Sequence, residues 1–170
     1  FKEILAKKFK MPSYILNVAN AAALAEQNFG VGIGKNSILY LNIGTGLGMG
    51  IILNGKLFEG VSGSAGEFGH ISVDDRGPLC ECGNLGCLEA IASTKAIVNQ
   101  AIDLIQKGVN SSLLAMTDHD IKKLDFDIIC QAAQSSDKLA YNLIDKMGQN
   151  IGEGIVTLIN LFNPERIIIG

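Results

Sequence analysis

Between Glu67 and Glu89 lie three of the chain's four cysteines and one of its two histidines, with a carboxylate at each end of the stretch. His70, Cys80, Cys82 and Cys87 offer one nitrogen and three sulfurs. Four residues separate Cys82 from Cys87, Gly83 and Gly86 among them, so the backbone can wrap around a tetrahedral ion. Zn2+ takes four such ligands at about 2.0–2.3 Å, and a set complete without water is structural. Three ordinary buried thiols beside an unrelated histidine would not need glycines at this spacing, so metal is the better reading. The metal would pin the backbone that carries Glu67, His70 and Glu89. Carboxylates held in this way accept hydrogen bonds from hydroxyl groups, as recognition of a polyol requires. The plainer alternative is surface carboxylate, or for Glu89 a favourable charge at the start of the helix LEAIAS.

A second stretch with chemical potential is Gly44-Thr45-Gly46-Leu47-Gly48. It lies between two strand-like runs, which excludes a dinucleotide fingerprint, and no Lys-Ser/Thr follows as in a P-loop. A glycine hairpin still presents successive N–H groups to an anion, with a threonine hydroxyl beside them. An ordinary tight turn reads the same way. Cys130, in the helical run FDIICQAAQ, reads as core, and His119 as a solvated loop residue.

These groups need elements to hold them. Phe1, Ile4, Leu5 and Phe9 fall at helical spacing and predict an amphipathic helix ending before Pro12. Tyr14-Ile15-Leu16 reads as a short buried strand, followed by a helix from Asn20, which is placed to cap it. SILYLNIG, GTGLG, MGIIL, Asn54-Gly55 and KLFEG predict a three-stranded antiparallel meander. Fifteen of the twenty glycines fall between Gly30 and Gly86. Helices follow: one with Ile97, Val98, Ala101, Leu104 and Ile105 on a face, ending at Gly108, and one capped by Asp125. A long helix carries Leu143, Met147, Ile151, Ile155, Leu158 and Phe162 on one stripe. Gly148 and Gly152 on that helix are expected to let a neighbour approach. Asn163-Pro164 ends it, and Arg166 to Ile169 reads as a buried strand. The order gives an α/β domain, a mixed sheet covered by helices.

At 170 residues with 48% hydrophobic and 18% charged residues, the chain is long and apolar enough for one cored domain and is not disordered. A net charge of −3 supplies no basic field for nucleic acid, so any DNA contact would come from a domain outside this chain. No apolar run reaches the roughly 18 residues of a membrane span, and cysteines without an export signal suggest a cytoplasmic setting. A first residue other than Met and a last strand that stops abruptly suggest one lobe of a longer protein.

Together, NVANAAALAE, LNIGTGLGMGIILNGKL, GSAGEFGH, CECGNLGCLEA and LINLFNPERIIIG resemble the ROK family of bacterial sugar kinases and sugar-responsive repressors. The resemblance implies the actin-like ATPase (ribonuclease H-like) fold, with this chain forming most of the second lobe. The first phosphate loop and the C-terminal adenosine segment would lie outside it. It also implies roles: His70, Cys80, Cys82 and Cys87 as structural Zn2+ ligands; Asn17, Glu67, His70 and Glu89 as sugar contacts; Gly44, Thr45, Gly46 and Gly48 as a phosphate loop. His70 would serve metal and sugar through its two ring nitrogens. Kinases of the family follow the asparagine with an aspartate, the general base that takes the proton from the attacking sugar hydroxyl. Here the pair is Asn17-Val18, and valine cannot act as a base. Loss of a general base costs about 10²–10⁴ in rate. Neither Asp74 nor Asp75, beyond the motif, is placed to replace it. The expected protein is a homodimeric, sugar-sensing transcriptional regulator that binds a sugar without phosphorylating it. The alternatives are an ATP- and Mg2+-dependent hexose kinase and a degenerate protein serving only in assembly.

Overall fold

The structure, a computed structural model, describes residues 1–170. Helix α1 (Lys2–Phe9) precedes α2 (Val18–Phe29); strands β1 (Ile38–Ile43), β2 (Leu47–Leu53) and β3 (Lys56–Leu57) form the expected meander. A long irregular segment containing the 3-10 turn Phe68–His70 leads to α3 (Leu88–Ala92) and α4 (Thr94–Gln106). The short α5 (Leu113–Met116), α6 (Phe126–Gln134), the long α7 (Lys138–Phe162) and strand β4 (Arg166–Ile169) complete the chain.

The sheet order is β3-β2-β1-β4, with β1 antiparallel to β2 and parallel to β4. Its two-residue alternation sorts the side chains. Leu39, Leu41, Leu47, Met49 and Ile51 join the large core formed with α3, α4, α6 and α7. Ile38, Ile52 and Ile168 face the other way, toward Ala23 of α2. Helices therefore cover both faces of a mixed sheet, as an α/β domain requires. On the α2 face β2 carries Gly48 and Gly50. A Cβ at Gly50 would lie 2.3 Å from the Ala19 carbonyl oxygen, so the bare backbone lets α2 lie directly on β2.

Four sequence expectations are corrected. Tyr14-Ile15-Leu16 is neither a strand nor buried, Tyr14 being 79% exposed. An extended run becomes a strand only by pairing, and none of the four strands lies beside it. The cap of α2 is Asn17, whose Oδ1 accepts the Ala19 N–H at 2.8 Å, while Asn20 is buried inside the helix. Gly148 and Gly152 face open space; the close approach falls at Gly154, where a Cβ would lie 2.8 Å from the Phe68 ring. In β4, an edge strand, only Ile168 is buried.

Side-chain caps fix three more helix starts. Ser93 opens α4, Asp125 opens α6 and Asp137 opens α7 by accepting the N–H of Ala96, Ile128 and Ala140. Asp137 also accepts the Ser112 N–H and the hydroxyls of Ser111 and Ser112, tying the α5 loop to α7. Burial raises the Asp137 pKa, but these hydrogen bonds outweigh it and hold the carboxyl below its usual value. Asp137→Ala is expected to lower stability by about 1–2 kcal/mol in urea unfolding at neutral pH. The folded-state pKa lies below the unfolded one. The stabilisation is therefore present above about pH 4 and is lost as pH falls through the folded value. The gap between wild type and variant should close in acid.

Candidate metal centre and ligand pocket

Ile71 to Leu85 has little to fold around. Cys80 is its one buried residue, and Leu79 and Leu85 are exposed. The backbone is nevertheless ordered into small bridges, Ser72 with Cys87 and Leu79 with Leu85. The turn at Cys80 closes through the Gly83 N–H on the Cys80 carbonyl, and the Cys80 N–H bonds the Asn84 carbonyl. This shape brings the four expected ligands together: the ligand atoms of His70, Cys80, Cys82 and Cys87 all lie within 4.8 Å of one another. Cys80 Sγ is 3.6 Å from His70 Nδ1, and Cys82 Sγ is 3.6 Å from Cys87 Sγ. A tetrahedron with metal–sulfur bonds of about 2.3 Å has edges of about 3.8 Å, so the four residues fit a metal ion. Without one, burial pushes the Cys87 thiol up to about 12. A hydrogen bond from the Asn84 backbone draws Cys82 below its ordinary value. Metal would have to displace the Cys87 proton on binding.

The second ring nitrogen of His70 points elsewhere. Its Nε2 is 3.8 Å from Glu67 Oε2, in a half-exposed setting. One imidazole thus presents Nδ1 to the thiols and Nε2 to the acid.

The residues proposed to meet a sugar come from three elements, and all three anchor on the first residues of β2. From the α2 side, Ala19, two residues past Asn17, packs on Gly48, whose Cβ would lie 3.5 Å from that of Ala19. From the segment 66–87, which carries the four candidate ligands and is called the metal loop for that reason, the Gly66 carbonyl accepts the Met49 N–H at 3.0 Å. A Cβ at Gly69 would lie 2.4 Å from the Leu47 carbonyl oxygen and 3.2 Å from the Glu89 Cβ. From α3, Glu89 Oε2 accepts the Leu47 N–H at 2.8 Å. Asn17 and Glu67 are exposed and Glu89 is half-buried. Val18 begins α2 and is 72% exposed.

The glycine turn carries Gly44, Thr45, Gly46 and Gly48 between β1 and β2 as expected. The Gly44 carbonyl accepts the Thr94 N–H at the start of α4, while Thr45 and Gly46 give their N–H groups to no backbone acceptor. Two adjacent amides, a hydroxyl and the start of a helix therefore meet here, a combination suited to an anion. Cys130 is half-buried, His119 is exposed at a positive φ of 61°, and Asp74 and Asp75 are exposed.

Sequence reasoning missed a cleft of about 610 Å³ between the metal loop and α4. Glu89, Cys80 and Thr45 line it, but Asn17, Glu67 and His70 do not. Lys95 bonds Glu81 across it at 2.6 Å. Apart from Thr45 its walls come from residues 74–103, and it is enclosed by the way the irregular loop packs against α3 and α4, which residue spacing does not encode.

This fold and site define a protein of the actin-like ATPase fold. The ROK family pattern matches residues 1–170, and the chain belongs to the ROK family. It is 38% identical over 169 residues to the xylose repressor of Caldicellulosiruptor bescii, covering 99% of this chain and 42% of that protein. It is 38% identical over 167 residues to the DNA-binding transcriptional dual regulator NagC of Escherichia coli, covering 98% of this chain and 40% of that protein. The chain thus spans about two fifths of the length of these relatives. Among solved structures, it superposes on a ROK family glucokinase from Streptomyces griseus, in complex with glucose and AMPPNP, with a TM-score of 0.87 at 36% identity. That match covers 99% of this chain and 55% of the glucokinase. A ROK family transcriptional regulator, a homologue of the E. coli MLC protein, gives a TM-score of 0.86 at 38% identity, covering 99% and 41%. No helix is long and apolar enough to cross a membrane.

Proposed function

We propose that this chain is the sugar-binding part of a ROK-family transcriptional regulator, forming most of the second lobe of a longer protein. In this reading Zn2+ sits among His70, Cys80, Cys82 and Cys87 and supplies a rigid charge that holds the loop. Asn17, Glu67, His70 and Glu89 meet the sugar hydroxyls. Asn17 Nδ2, His70 Nε2 and Glu89 Oε1 remain to do so, because Asn17 Oδ1 and Glu89 Oε2 already hold backbone amides. The observation that carries the reading is Val18: a kept pocket without a base recognises a sugar and leaves it unchanged. The repressor relatives support it. DNA would be bound by a domain outside this chain, in a homodimeric cytoplasmic protein whose arrangement of lobes the sugar biases.

A second reading is supported by the likeness to the glucokinase and by the free amides at Thr45 and Gly46. As an ATP-dependent hexose kinase, the protein would use Gly44, Thr45, Gly46 and Gly48 at the nucleotide phosphates, with Mg2+.

The readings separate in one experiment. The full-length protein is titrated calorimetrically with D-xylose, D-glucose and N-acetylglucosamine, and ADP release is followed with each sugar present. One sugar is expected to bind with no sugar-dependent turnover. Sustained turnover would overturn the regulator reading, and absence of binding by every sugar would overturn the pocket.

A further inference from the structure

The carboxylate of Glu89 lies against the glycine turn. Thr45, Gly46 and Leu47 present three successive amides: the first two have no backbone acceptor, and the third is held by Glu89 Oε2 at 2.8 Å. Leu47 is buried, so its N–H has no ready exchange with water. A buried donor deprived of its partner bears the full desolvation penalty, which makes this bond a strong local constraint. Gly46 leaves the carboxylate its place, since a Cβ there would lie 2.7 Å from the same Oε2. Glu89 is in turn fixed from below, where Gly69 of the metal loop packs against its Cβ and against the Leu47 carbonyl. The metal loop, α3 and the glycine turn therefore meet at one carboxylate.

We infer that Glu89 is a positioning residue for the glycine turn, and that sugar capture and the state of the turn are coupled through its two carboxylate oxygens. Oε2 sets the start of β2 and keeps one acceptor of negative charge on the amide row. Oε1 holds no hydrogen bond within the chain and is free for a hydroxyl, and Glu89 lines the neighbouring cleft. A hydroxyl drawing the carboxylate toward itself weakens the bond to Leu47 and changes the turn, giving a protein without a base a conformational output. The positioning role stands on the geometry alone; the coupling rests on the functional reading above.

The test is hydrogen exchange at the Leu47 amide in the full-length, metal-loaded protein, read by fragmentation-resolved mass spectrometry, with Ile51 and Ile52 of the same strand as references. Glu89→Ala is expected to speed Leu47 exchange about 10- to 100-fold, the equivalent of losing a hydrogen bond to a charged acceptor, while the references hold. Glu89→Gln keeps an acceptor oxygen and should restore most of the protection, which a purely space-filling role would not require. Gly46→Ala should speed Leu47 exchange with Glu89 intact, and it decides the matter if Glu89→Ala folds poorly. Unchanged Leu47 exchange in both Glu89→Ala and Gly46→Ala, or Gln behaving as Ala, overturns the positioning role. Saturating D-xylose or D-glucose, whichever binds calorimetrically, should shift Leu47 exchange in wild type and not in Glu89→Ala. Binding without that shift overturns the coupling. No binding by either sugar counts against the functional reading and leaves the positioning role to the sugar-free result.

Discussion

Cys82→Ser is expected to release the metal, from about one ion per chain to none on purification, with an affinity loss of at least about 100-fold. Loss of a mere outer-sphere partner already costs 10–100-fold, and a ligand is worth more. The reason lies in what else holds the loop. Among residues 71–85 only Cys80 is buried, so apolar burial contributes little there. On the proposed reading, the ordering of this segment falls to its short backbone bridges and to the ion. Structural Zn2+ sites supply about 10–16 kcal/mol of binding free energy in small domains, ample to order such a loop. The main core, built from Leu39, Leu41, Phe68, Leu88, Ile97 and Leu158 with their neighbours, contains none of the four candidate ligands. The variant should therefore retain its helical circular dichroism while the loop becomes open to protease. Its sugar binding should disappear with the metal, because Glu67, His70 and Glu89 lose their common support. Metal analysis and limited proteolysis check this; unchanged metal content would remove the zinc assignment.

Val18→Asp carries the second large effect. Position 18 is the first residue of α2 and is exposed, so a carboxylate there is neither buried nor crowded. It also lies at the positive end of the helix dipole, where an acid adds about 0.3–1 kcal/mol of stability. The substitution is thus expected to fold at least as well as wild type. On the proposed reading, wild type lacks only the group that accepts the proton from an attacking hydroxyl. Installing that group in the full-length protein should raise sugar-dependent ATP turnover by about 10²–10⁴, or roughly 3–5 kcal/mol of barrier. Turnover that is already high in wild type and unmoved by the substitution would show that Val18 does not stand at the base position.

Much of this could be read from local order in the chain. Alternating apolar residues and the Gly-Thr-Gly and Asn-Gly turns were enough for β1, β2 and β3. Asp125 announced α6, and one apolar stripe announced α7. The gathering of His70 with the three cysteines was legible for the same reason, since the cysteines sit on one short loop and only His70 must be brought to them. The errors arose where a residue's role depended on a neighbour from elsewhere. Asn20 looked like a cap because the run of alanines follows it, yet the helix begins three residues earlier and Asn17 takes the role. Gly148 and Gly152 had the spacing of a packing notch, but the face of α7 that meets Phe68 carries Gly154.

What the sequence determined by itself, then, is the set of local devices: turns, caps, the strand alternation and a four-ligand loop. Each follows from interactions between residues close along the chain, whose geometry the backbone constrains directly. The pairing of Glu89 with the Leu47 amide, 42 residues apart, was decided only by the tertiary structure. It exists because α3 and the metal loop both dock on the start of β2, and no spacing in the chain encodes where two separately folded segments come to rest. The metal loop is thus one of two supports for the start of β2, and the residue it shares with the glycine turn is Glu89.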